Sequence, residues 1–354
     1  MFALATRSRP TSTACTGHVS GGHSIFVALM QVRQLQVGAS VAMALLVRDA
    51  QVRPQRDGSS LLKLTLGDRT GTLAAIVVDG VEEARQACRA GEVVFVIGSF
   101  LAHERFGNRV VVETVRAARE SEYELGQLTD GPARPPAALE ADLRELVATV
   151  QNPHLRALLA ELLGEGSPVW AKFRQAPAAK HYHQAYRHGL LEHSLTVAQS
   201  VSAISATFPG IDRDVAVTGA LLHDIGKLDA YALDGNAIEM TDQGRLYGEI
   251  ALGYYRIRTA IEGLEGFPID TAQAVLHIIL SHHGSLEHGS PVIPCTREAT
   301  LVHMVDNLGG RLGSFDRVEK GLPNGAQWSG YDKGIGGGAY FGAPALPESE
   351  RRAA

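Results

Sequence analysis

The apolar residues change their period part-way along the chain, and this change limits the possible folds more than any other feature. From Val41 to Val115 they alternate: Leu62, Leu64 and Leu66 are interleaved by Lys63 and Thr65, and further runs follow at Leu73 to Val78, Val93 to Ile97 and Val110 to Val115. A period of two puts one set of side chains on one face of an extended chain, so these segments predict strands. After Leu139 apolar residues recur at helical spacing, through 139–150, 154–163, 190–204, 214–223, 248–261, 271–282 and 298–308. No strand signal of comparable strength occurs there, which predicts an all-α region. Residues 129–138, with three prolines and a glycine, read as the linker between the two.

The strands are separated by turn chemistry: Arg56-Asp57-Gly58, Asp68-Arg69-Thr70-Gly71 and Arg105-Phe106-Gly107-Asn108. With Val41 to Val47 as the first there are five, and between the third and fourth Val81 to Ala90 reads as a short helix closed by Gly91. Three strands, a helix and two strands is the layout of an OB-fold β-barrel. The fold class expected is therefore multidomain α+β: a five-stranded OB-fold over 36–128, the linker, and an all-α bundle over 139–312. Residues 1–35 are expected to be a disordered or mis-assigned extension, with Met30 as initiator, and 313–354 an irregular Gly-rich tail.

The apolar fraction of 45% and charged fraction of 20% over 354 residues are those of a globular protein of two or three domains. The longest apolar runs, such as Val215 to Leu222, fall well short of the ~20 residues that cross a bilayer, so no membrane is expected. Cys15, Cys88 and Cys295 are scattered and form no C-x-x-C pair, which argues against a disulfide framework or a cysteine zinc cluster and for a reducing cytoplasm. Residues 1–137 hold 15 Lys/Arg against 13 Asp/Glu and the remainder 18 against 25, short of the basicity of a dedicated nucleic-acid binder.

OB-folds bind oligonucleotides on their open face and on the loops after strands one and four. Here those loops carry Arg53 and Arg56, then Arg105, Phe106 and Arg109, cations for phosphate and an aromatic ring for stacking. Solvated hairpin loops would read the same way.

Of 14 histidines, ten lie between His181 and His303, a bias that points to metal binding. The densest stretch is Leu221-Leu222-His223-Asp224-Ile225-Gly226-Lys227. Adjacent helical residues diverge by about 100°, so both heads cannot rest on one surface, but both can reach one ion in a bundle interior. Imidazole with carboxylate suits a divalent transition metal or Mg²⁺, and Asp224 has a second oxygen with which to bridge two ions. Gly226 allows close approach, and Lys227 places a cation near a bound phosphate. His193 in Gly189-Leu190-Leu191-Glu192-His193, the pair His282-His283, and Asp306 in Val302-His303-Met304-Val305-Asp306-Asn307 could complete the site. A lone core histidine is more often structural than ligating. Several buried on core-facing helices need a common partner, and a metal supplies one.

His193, His223-Asp224 and Asp306 resemble the signature of the HD-domain metal-dependent phosphohydrolases. With the barrel in front, the chain resembles more specifically the YhaM family of 3′-to-5′ exoribonucleases. The resemblance runs over about 36–342 and includes Leu64-Thr65-Leu66-Gly67-Asp68-Arg69-Thr70-Gly71, Ser281-His282-His283-Gly284 and Asp306-Asn307-Leu308. It implies that His193, His223, Asp224 and Asp306 hold a first metal, that Asp224 bridges to a second held by His282 and His283, and that Lys227 assists catalysis. Glu249 in Gly248-Glu249-Ile250 stands where the family has histidine, and its carboxylate would favour a harder ion, Mn²⁺ or Mg²⁺. Gln184 after His183, and His188 in place of a usual glycine, are further departures. The function expected is metal-dependent hydrolysis of single-stranded RNA, and of some DNA, from the 3′ end to nucleoside monophosphates, by a cytoplasmic homo-oligomer. The alternatives are an HD phosphohydrolase of a nucleotide or cyclic nucleotide, although no Gly-Tyr-Pro step follows the HD pair, and a non-catalytic nucleic-acid-binding protein.

Overall fold

The computed structural model describes residues 30–55, 58–103, 107–180, 184–322 and 326–342. The alternating segments form β1 (Ser40–Pro54), β2 (Ser60–Asp68), β3 (Gly71–Val77), β4 (Val93–Leu101) and β5 (Arg109–Ala117), with helix α1 (Val81–Ala87) between β3 and β4. They close into a barrel in the order β1-β2-β3-β5-β4, in which β3 and β5 run parallel and every other pair antiparallel. One side-chain set, including Val41, Met43, Leu45, Leu62, Leu64 and Leu66, fills the interior. β1 is longer than the alternation predicts because it serves two neighbours. Its first half pairs with β4 and its second with β2, and the register shifts between Val47 and Asp49. The first 29 residues of the expected extension lie outside the described residues. The rest of that extension packs on the barrel: Leu35 is buried and the Val32 N–H donates to Asp68 Oδ2 at 2.8 Å.

The helical part comprises α2 (Leu125–Leu128), α3 (Pro136–Ala148), α4 (Pro153–Leu163), α5 (Pro168–Phe173), α6 (Gly189–Ser205), α7 (Arg213–Leu222), α8 (Lys227–Ala230), α9 (Asp242–Tyr247), α10 (Glu249–Glu262), α11 (Ile269–Ser281) and α12 (Arg297–Lys320). One apolar core runs through α3, α4, α6, α7, α10, α11 and α12. No described helix is long and apolar enough to cross a membrane.

Two features depart from the sequence reading. The region is not wholly helical, because β6 (Tyr231–Asp234) and β7 (Ala237–Met240) pair as a hairpin around Gly235-Asn236. The hairpin is half-exposed and only four residues a side, so its apolar alternation is faint, and Asp234-Gly235-Asn236 is the turn signal that marks it. The sequence reading ended the last helix at 308, yet α12 continues to Lys320. Its last turns are held by Arg317 on Asp332, Phe315 on Phe341 and Lys320 on Asp130, which offset the low helix propensity of Gly309, Gly310 and Gly313.

Barrel and helices meet at several points. Arg48 pairs with Asp130 at 3.0 Å, Lys320 with the same carboxylate at 3.0 Å, and the Asn236 side chain at the hairpin tip donates to the Gly91 carbonyl at 3.3 Å. Between them lies a cavity of about 1200 Å³.

Candidate metal centre

The last carbonyls of a helix lack intrahelical donors. At the end of α7, His223 meets this need by donating from Nδ1 to Ala220 O at 2.7 Å, and at the end of α11 His282 does the same to Ile279 O at 2.8 Å. A carbonyl can only accept, so in the neutral ring the proton is fixed on Nδ1 and Nε2 is left as a lone pair directed away from its helix. His193, in the second turn of α6, donates from Nδ1 to Gln184 Oε1 at 3.0 Å, and His283 to His288 O at 2.9 Å.

These lone pairs converge with carboxylates. Around His193 Nε2 stand His223 Nε2 at 3.1 Å, Asp224 Oδ2 at 3.2 Å and Asp306 Oδ1 at 3.1 Å. His223 Nε2 is 3.3 Å from the same Asp224 oxygen and 3.7 Å from Asp306. The other Asp224 oxygen, Oδ1, faces His282 Nε2 at 3.6 Å, and His283 Nε2 lies 3.3 Å from Glu249 Oε1. Ligand atoms of His193, His223 and Asp224 all fall within 4.8 Å of one another, as do those of Asp224, Glu249, His282 and His283. Asp224 belongs to both groups. Lys227 Nζ lies 2.6 Å from Asp224 Oδ2.

The donor set fits divalent cations. Asp224 Oδ1 and His282 Nε2 are buried and face each other, neither has a hydrogen-bond partner among the described residues, and with His282 neutral both are acceptors. Facing acceptors in a dry interior repel unless a cation lies between them. Separations of 3.1–3.7 Å in the first group are the edge lengths of a coordination shell whose donors stand about 2.1 Å from its centre. Nitrogen and carboxylate oxygen without sulfur suit Mn²⁺, Fe²⁺, Zn²⁺ or Mg²⁺.

The titration behaviour of the protein alone reflects the same need for positive charge. Burial opposes charge on His193 and His223, but Asp224 and Asp306 outweigh it, raising both imidazoles and pushing His223 up to about 10. Burial likewise raises the carboxyl groups; Lys227 and the imidazoles reverse this at Asp224, as the hydrogen bonds of His193 and His223 do at Asp306, and both are held well below the usual range. Burial lowers His282, which stays neutral. Burial also opposes charge on Lys227, but Asp224 and Glu249 keep its ammonium protonated.

Neighbouring residues hold this arrangement. A Cβ at Gly226 would stand 1.9 Å from the Glu249 carbonyl oxygen and 2.5 Å from the Gly253 amide nitrogen, so a side chain there would push the start of α10, and Glu249 with it, away from Asp224. His303, one turn before Asp306 on α12, donates from Nδ1 to the His282 carbonyl at 2.8 Å. Its ring lies on Gly284, whose φ is +83° and where a Cβ would stand 2.1 Å from the imidazole. The helix that carries Asp306 thus also holds the segment that carries His282 and His283. Sequence reasoning quoted His303 and Gln184 but gave neither a supporting role. A polar residue one helical turn from a ligand is the signal that could have found His303.

The residues expected to bind nucleic acid are less gathered. Arg53 is exposed near the end of β1, with its guanidinium on the Gln51 side chain, and Arg109 opens β5. Arg56, Arg105 and Phe106 lie outside the described residues.

The HD domain family matches residues 190–310, the span that carries His193, His223-Asp224, His282-His283 and Asp306. This span is an HD domain. Beyond it, the chain is homologous to proteins named 3′-5′ exoribonuclease YhaM. It is 28% identical over 284 residues to that of Bacillus pumilus, covering 80% of this chain and 88% of the relative. It is also 28% identical over 287 residues to that of Bacillus velezensis, with the same coverage. Among solved structures, the second OB-fold domain of replication protein A from Methanococcus maripaludis matches 27% of this chain and 98% of its own length, at 19% identity and a TM-score of 0.22. The architecture is an OB-like barrel followed by a helical region containing the HD domain.

Proposed function

We propose that this protein is a metal-dependent 3′-to-5′ exoribonuclease that acts in the cytoplasm and shortens single-stranded RNA, and some single-stranded DNA, to nucleoside monophosphates. The protein is a hydrolase, and the observation that carries the finer reading is Asp224, whose two oxygens face two separate groups of histidine and carboxylate ligands. His193, His223, Asp224 and Asp306 would hold one divalent ion, and Asp224, Glu249, His282 and His283 a second, Mn²⁺ or Mg²⁺ being the expected metals. The chemistry such ions supply when bound is neutralisation of charge on a phosphodiester and activation of water as nucleophile at neutral pH.

The remaining steps fall to the chain itself. Lys227, held against Asp224 in a buried setting, keeps its positive charge and adds electrostatic stabilisation to a phosphoryl group at the centre. His282, neutral and fixed through Nδ1, presents a lone pair and no proton. The barrel, joined to the HD domain through Arg48, Asp130 and Lys320, would guide a single strand by backbone contacts and stacking, with weak sequence preference. The name of the relatives, which align along 80% of this chain, supports the choice of RNA and of polarity.

A direct test offers labelled single-stranded RNA and small nucleotides, cyclic ones included, to the same preparation. Mononucleotide release from RNA in preference to turnover of the small substrates is the expected result. Turnover of the small nucleotides alone would instead make this an HD phosphohydrolase with a regulatory barrel.

A further inference from the structure

The described residues after α12 are folded back onto that helix. Trp328 bridges to Tyr340 and Asp332 to Gly337 in antiparallel fashion, Asp332 pairs with Arg317 at 2.8 Å, Ala339 is buried, and the Phe341 ring meets Phe315 edge-on at 6.3 Å. A segment held this firmly could bury its largest rings. Instead Trp328 is 63% exposed, Tyr331 75% and Tyr340 55%, with the Trp328 and Tyr340 centroids 5.0 Å apart. Exposed aromatic rings on a fixed support mark a binding surface.

Their position indicates the ligand. Trp328 and Tyr331 line the cavity of about 1200 Å³, whose lining also includes the barrel residues Leu46 to Asp49 and reaches His193 and its partner Gln184. Leu308 and Leu312 of α12, each more than half exposed, lie on the same lining. Each cation lining it is paired with a carboxylate, Arg317 with Asp332, Lys320 and Arg48 both with Asp130, and Lys180 with Glu239, and the lining carboxylates outnumber the cations. Such a lining neutralises few phosphates, but it offers π-faces and apolar surface to flat, neutral groups.

We propose that Trp328 and Tyr331 form a stacking site for the bases of single-stranded RNA passing between the barrel and the metal centre. This inference rests on the exoribonuclease reading. Because base stacking is indifferent to sequence and does not depend on counterion release, the site contributes affinity without sequence preference and with little salt dependence.

The chain has two tryptophans, and Trp170 is buried, so a ligand that stacks on Trp328 must quench the emission of the one exposed indole. In chelator, where RNA is not cut, titration with a single-stranded oligoribonucleotide is expected to quench the wild type and not Trp328→Phe. With metal restored, Trp328→Ala should raise KM for RNA about tenfold, by the same factor at low and high salt. Trp328→Phe, which keeps a ring and the fold of the segment, should recover most of that loss, and unchanged metal content would establish that both variants are folded. An enzyme that shortens RNA with no quenching and no change of KM in Trp328→Ala would overturn the inference and leave the nuclease reading standing. Emission that follows protein concentration and not RNA would also overturn it, in favour of contact between copies of the chain. A protein that neither binds nor cuts RNA would remove the reading and the inference together.

Discussion

His193 and His223 bring their Nε2 atoms to 3.1 Å of each other although both rings have already committed their Nδ1 protons to other acceptors. With both rings neutral, neither nitrogen can donate to the other. Only a positive charge shared among them, Asp224 and Asp306 satisfies the contact: protons in the metal-free protein, a divalent cation in the loaded one.

Metal affinity and stability should therefore depend on pH in opposite senses. The His223 imidazole goes from an ordinary 6.5 to about 10 in the folded metal-free protein, and His193 is raised as well. A raised pKa contributes stability that is complete below the unfolded value and is lost as pH rises through the folded one. The melting temperature of chelator-treated protein should fall as pH rises from near 6.5 toward 10, while metal affinity should rise over the same range as fewer protons need displacing. A metal-free melting temperature that is flat across this window would contradict the assignment.

Asp224→Asn should abolish coordination at both groups, because each uses one oxygen of the same carboxylate. Activity should fall by at least about 100-fold, more than loss of a supporting residue costs. Metal analysis should find neither ion bound. Retention of one ion at full stoichiometry would show that Asp224 does not bridge.

His303→Ala tests the support from α12. Losing its bond to the His282 carbonyl should weaken binding of one ion about 10- to 100-fold and leave the ion held by His193, His223 and Asp306 in place. Calorimetric titration with Mn²⁺ would resolve the two. Equal weakening of both, or of neither, would contradict the account.

Gly226→Ala should cost about 1–3 kcal/mol, since its methyl group would fall on the Glu249 carbonyl and the start of α10 must move. Denaturant unfolding measures the loss. Glu249→His, in contrast, should leave stability nearly unchanged and move the metal preference from Mg²⁺ toward softer ions, as read by metal content after equilibration with mixed ions.

The barrel was legible because residues such as Leu62, Leu64 and Leu66 must all point inward, and a period of two records that directly. His223-Asp224 and His282-His283 were legible for a related reason: each pair closes an apolar helix, where a polar group is costly unless partnered. Less could be read where the partner is backbone. The bond of His223 to Ala220 leaves no trace in side-chain spacing, and that of His303 to the His282 carbonyl is hinted at only by the place of His303 one turn before Asp306. The Tyr231–Met240 hairpin was missed because neither of its strands buries a full face, and the last turns of α12 because the contacts that hold them come from residues beyond the helix. Trp328 and Tyr331 stood in a stretch read as tail, and only the fold brings them to the cavity beside His193.

The most direct test of the central claim is a time course of 5′-labelled single-stranded RNA with Mn²⁺, Mg²⁺ or chelator, run beside Asp224→Asn. Metal-dependent shortening from the 3′ end as a ladder, absent in chelator and in the variant, is the predicted result. Shortening that persists in chelator, or that Asp224→Asn retains in full, would contradict a centre built on the two oxygens of Asp224.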